Sequence, residues 1–87
     1  MRAIIIDDEQ AAIHVLAEKL QKYDDIQIEG TASTGKTGLL LLRETMPDVV
    51  FLDVELPDMT GIEFLSQMDD ITGGRCHTVM YTGHEQY

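Results

Sequence analysis

Three aspartates have the type and spacing for chemistry. Asp7 and Asp8 close one apolar run, Ala3-Ile4-Ile5-Ile6, and Asp53 closes another, Val49-Val50-Phe51-Leu52. Both runs are short, apolar throughout and rich in β-branched residues, the pattern of a strand buried on both faces. If the two strands are parallel neighbours, all three carboxylates meet at one edge of the sheet, where open α/β sheets place their ligands. Carboxylates that close repel one another, so they call for a cation, a shared proton or a reaction that uses them. Other ligand-type residues carry less. Cys76, His77 and His84 suggest zinc, yet Cys76 and His77 are sequence neighbours that point to opposite faces of a strand, so they read as structural or solvated. His14 falls within an ordinary helical pattern and reads as a surface or packing residue.

Around the aspartates, the elements that must hold them are marked by periodicity. Ile13, Leu16, Ala17 and Leu20 recur at i, i+3, i+4 and i+7. That spacing predicts an amphipathic helix after the first strand, with Asp8 as its N-cap. Ile26 and Ile28 alternate with polar residues, which predicts a short strand near the sheet edge. Gly30 to Gly38 reads as a small-residue loop. Leu39–Leu42 with Arg43, Glu44 and Met46 predicts a second helix that Pro47 stops, and the leucine run reads as core with some spillover. Thr60 and Glu63 match a capping box opening a third helix, with Ile62, Leu65 and Met68 on its buried side. Gly73-Gly74 breaks the chain, and His77–Tyr81 predicts a fourth strand. The resulting order, β-α-β-α-β-α-β, has spacings suited to crossover connections in a parallel sheet.

The 87 residues suffice for one small domain, and 44% hydrophobic content argues for a folded chain. Sixteen acidic against six basic residues give a net charge of −10. That balance argues against direct nucleic-acid contact by this segment, since such binders present basic patches. A single cysteine allows no internal disulfide and fits a reducing cytoplasm. No apolar run is long enough to span a membrane or to serve as a signal-peptide core.

The combined motif closely resembles the receiver domain of two-component response regulators. It is carried by Ile4-Ile5-Ile6-Asp7-Asp8-Glu9, by Val50-Phe51-Leu52-Asp53 with Leu56-Pro57-Asp58-Met59-Thr60-Gly61, and by Tyr81-Thr82-Gly83. The tail Tyr81–Tyr87 resembles the subset whose output half is a LytTR-type DNA-binding domain. The resemblance implies a flavodoxin-like (CheY-like) α/β three-layer fold with strand order 2-1-3-4. It implies that Asp53 is the phospho-acceptor, taking a phosphoryl group from a sensor histidine kinase as a carboxylate nucleophile. Asp7, Asp8 (one of the two through water) and Asp53 would bind Mg²⁺ with the backbone carbonyl of Glu55, and Thr82 would be the switch hydroxyl. Such a domain phosphorylates itself and is not a turnover enzyme.

A full receiver continues with a helix, a fifth strand bearing a lysine, and a last helix. Residues 1–87 therefore read as a C-terminally incomplete receiver domain. Metal binding is expected to survive in part and phosphorylation to be impaired. An open fourth strand also predicts a homodimer or strand-exchanged assembly. Three other readings compete. Gly30–Thr37 matches the phosphate-loop pattern G-x-x-x-x-G-K-[ST] at every fixed position, although Ile26–Glu29 alternates and Asp7-Asp8 is left without a role. A haloacid-dehalogenase-like phosphatase also places an aspartate nucleophile after a strand, but Asp53-Val54-Glu55 matches it poorly. A pseudo-receiver would only bind a partner protein.

Overall fold

The computed structural model describes residues 1–81. Along them run β1 (Arg2–Ile6), α1 (Gln10–Leu20), β2 (Gln27–Ala32), α2 (Gly35–Thr45), β3 (Val49–Asp53), α3 (Gly61–Thr72) and β4 (His77–Tyr81). The strands form one parallel sheet in the order β2-β1-β3-β4. The all-apolar runs β1 and β3 take its centre because both of their faces must be covered. The alternating β2 takes an edge, with Gln27 and Glu29 exposed and Ile28 half-buried.

Side-chain alternation along the central strands splits the core into two layers. On one face Ile4, Ile6, Val50 and Leu52 pack with Leu42 of α2 and with Phe64 and Met68 of α3. On the other, Ile5 packs with Ile13 and Leu20 of α1, and Leu16, Ala17 and Phe51 border them. Each fully buried aliphatic or aromatic side chain contributes about 1.5–3 kcal/mol. The α2/α3 layer is the larger and supplies most of the apolar stabilisation. Gly38 lets α2 lie close to β1: a Cβ there would come within 2.7 Å of Ile6 Cδ1.

Local signals explain most element ends. Thr60 and Glu63 form the expected capping box of α3, and Gly73 closes that helix in the left-handed region. Met46 closes α2 at φ 43°, just before Pro47 forbids continuation.

Three expectations need correction. Gly30–Gly38 is not a loop: β2 runs through Gly30 to Ala32, and α2 starts at Gly35 behind its own Thr34/Thr37 capping box. Asp8 is not the N-cap of α1. Glu9 holds that position without a side-chain cap bond, and its own N–H donates to the Asp7 carboxylate. Ile62 is 77% exposed, while Phe64, Leu65 and Met68 face the core. One residue past Gly61, Ile62 is rotated about 100° off that stripe.

Candidate functional site

The β1–β3 register pairs Ile6 with Leu52, so the next residues on each strand, Asp7 and Asp53, emerge side by side. One carboxylate oxygen from each of Asp7, Asp8 and Asp53 lies within 4.8 Å of the others. Asp7 and Asp53 are 0% exposed, whereas Asp8 is open to solvent. Among the described residues, no basic side chain forms an ion pair with any of the three.

The hydrogen bonds are uneven. Asp7 Oδ1 accepts from the Glu9 N–H at 2.9 Å, and Asp7 Oδ2 accepts from the Tyr81 hydroxyl at 2.8 Å. Asp53 Oδ1 accepts from the Glu55 N–H at 3.0 Å. Asp53 Oδ2 is buried and receives no donor. An unsatisfied buried carboxylate oxygen costs about 1–3 kcal/mol or more, and a cation bound among these like charges would offset that cost.

The electrostatics follow from that geometry. Burial, and then the Asp7 and Asp8 charges, push the Asp53 carboxyl up to about 6, against the pull of the Glu55 amide. The Tyr81 phenol is pushed well above its usual range by burial and by its bond to the Asp7 carboxylate. It therefore stays a donor at every physiological pH.

The residues singled out in sequence fall out as follows. Asp7, Asp8 and Asp53 come together. Glu55 stands two residues beyond Asp53, with an exposed side chain, a bridge to Thr60 and its amide on Asp53. Thr82 and His84 lie outside the described residues. His14 is a surface residue beside Glu18, and Cys76 is buried next to an exposed His77. Tyr81 was legible as a strand terminus and as part of the Tyr81-Thr82-Gly83 motif, not as a partner of Asp7. Its place in the site depends on reach across the sheet, which no short motif encodes.

The phosphate-loop reading of Gly30–Thr37 fails on backbone grounds. Gly30–Ala32 is strand, so no loop remains to wrap a phosphate. The amides at the start of α2 are already taken: Asp58 accepts from Gly35 N at 2.7 Å and from Lys36 N at 2.9 Å. These bonds hold the Asp58 carboxyl below its usual range. An anion bound there would meet a carboxylate in its place.

Three carboxylates offering oxygen only, with one buried oxygen lacking a donor, fit a hard divalent cation. Comparison with known proteins identifies the family. The family profile of the response regulator receiver domain matches residues 3–87. An uncharacterized response regulatory protein of Vibrio parahaemolyticus is 41% identical over 87 residues, all of this chain and 35% of that protein. The transcriptional regulatory protein BtsR of Escherichia coli is 32% identical over all of this chain and 36% of its own length. The chain thus spans about a third of the length of these curated relatives. The response regulator domain of Thermotoga maritima CheB superposes with a TM-score of 0.84 at 26% identity, covering 92% of this chain and 58% of that one.

Proposed function

This chain belongs to the response regulator receiver domain family, and from that premise we propose that it takes a phosphoryl group onto Asp53 from the phosphohistidine of a sensor kinase. The observation that carries the reading is the buried, donor-free Asp53 Oδ2 set against the Asp7 and Asp8 carboxylates. In the transfer, Asp53 Oδ2 attacks phosphorus and the P–N bond to the kinase imidazole breaks. The electron pair leaves on the ring nitrogen, and an acyl phosphate forms on Asp53. The amide of Glu55 holds Oδ1, which directs Oδ2 toward the incoming group. Asp7, Asp8 and Asp53, with the Glu55 carbonyl, would hold Mg²⁺, which supplies charge neutralisation for the phosphoryl oxygens. Asp8, the exposed member, lines the approach.

Thr82 would donate to the bound phosphoryl group. The parent protein would be a cytoplasmic regulator with a DNA-binding output, of LytTR type, as the likeness to transcriptional regulators supports. Its receiver stores the signal as a self-phosphorylated aspartate and does not turn over. Incubation with phosphoramidate and Mg²⁺, followed by intact mass, tests the assignment. One phosphoryl group is expected on the wild type, none after chelation and none on Asp53→Asn. Labelling that persists in the Asp53→Asn variant removes Asp53 from the role, and labelling that ignores chelation removes the metal from it. A longer form carrying the fifth-strand lysine should label faster than the 87-residue chain.

A further inference from the structure

We propose that Tyr81 is a positioning residue of the acidic site, its hydroxyl fixing the Asp7 carboxylate in the orientation a cation requires; the inference rests on the metal-binding reading above. The Tyr81 O–H donates to Asp7 Oδ2 at 2.8 Å. Yet β4 does not neighbour β1, because β3 lies between them. With strands about 4.8 Å apart, the phenol must pass over the end of β3. Tyr81 is the register partner of Asp53, so the bond to Asp7 closes above the Asp53 carboxylate.

This arrangement restrains Asp7 at both oxygens, Oδ1 through the Glu9 amide and Oδ2 through Tyr81. A carboxylate oxygen has two lone pairs, so each keeps one for a cation. Among the described residues, Tyr81 is the one side chain from outside the cluster that donates to the three aspartates. Without it, Asp7 is free to swing its charge away from Asp53, because repulsion between buried carboxylates is poorly screened. Donors standing behind a metal-ligating carboxylate set its direction, and their loss typically weakens metal binding by about 10–100-fold.

Titration of the 87-residue chain and its Tyr81→Phe variant with MgCl₂ by isothermal calorimetry tests this. The urea midpoint and far-UV circular dichroism confirm that the variant is folded. Binding about tenfold weaker is expected for Tyr81→Phe. Mg²⁺ should also perturb the near-UV tyrosine spectrum of the wild type and of the Tyr23→Phe/Tyr87→Phe double variant, in which Tyr81 is the remaining tyrosine, but not of Tyr81→Phe. Equal or tighter binding by a folded Tyr81→Phe overturns the positioning role and leaves the metal reading standing. A wild type that binds no Mg²⁺ overturns both. If Tyr81→Phe does not fold, the spectrum of the Tyr23→Phe/Tyr87→Phe double variant decides, and a Mg²⁺-saturated sample with no tyrosine perturbation overturns the role.

Discussion

Asp53 sets the chemistry of the site through its proton. Its carboxyl titrates at about 6 in the fold, against an ordinary 3.8. Between those values the folded chain holds a proton that the unfolded chain has released. The stabilisation from that proton is complete below about pH 4 and is lost as pH rises through about 6. At about 1.36 kcal/mol per pKa unit, the whole effect is on the order of 2–3 kcal/mol. Urea unfolding of metal-free protein in chelator should show wild type losing stability relative to Asp53→Asn between pH 4.5 and 7.5. Parallel curves for the two proteins would reject a perturbed Asp53. Because a ligating carboxylate must be ionised, Mg²⁺ affinity should climb over the same interval. The three aspartates were legible in sequence because each ends or follows an apolar strand, and parallel neighbours align their ends. Tyr81 and Asp58 were not, since each acts on a residue far away in sequence through a side chain whose direction only the packed fold decides.

The elements show where composition misleads. Strands β1 and β3 and the capping box of α3 were readable because burial on two faces and the Thr60/Glu63 spacing are strong local signals, and β4 because Gly73-Gly74 sets off the run His77–Tyr81. The stretch Gly30–Gly38 misled because glycine, serine and threonine usually mark loops, and tertiary pairing overrode that preference. Thr31 and Ala32 complete the ladder opposite Ile5 and Ile6, and a Thr34/Thr37 box starts α2. Asp58 ties this helix to the loop that follows β3, through two amides of α2. A carboxylate on a helix N-terminus is typically worth about 1 kcal/mol. Asp58→Ala should therefore lower the urea unfolding free energy by about 1 kcal/mol, and Asp58→Asn by less. Because the Asp58 carboxyl lies below its usual range in the fold, its contribution is present above the ordinary carboxylate pKa and fades as pH falls. An Asp58→Ala variant with the wild-type urea midpoint at pH 7 would show that the tie carries no stability.

At the scale of the whole molecule, two forces oppose each other along β4. Among the described residues β4 pairs only with β3, and Val79 and Met80 are 46% and 41% exposed. His77–Tyr81 contains no lysine, proline or acidic residue of the kind that guards a free edge. We propose that two copies of this 87-residue chain pair along that edge. The net charge of −10 resists such pairing, and it does so from all over the surface. At 0.01 M salt the screening length is about 30 Å, comparable with the 31 Å longest dimension of the chain, so each copy feels nearly all of the other's charge. At 1 M it falls to about 3 Å, and only charges at the contact still count. β4 brings none of the acidic ones. Light scattering at high protein concentration should thus find monomer at low salt and growing dimer as NaCl rises, while Val79→Lys stays monomeric throughout. A wild type that remains monomeric at 1 M NaCl would exclude pairing through β4. Association that weakens with salt would place the contact on charged surface elsewhere.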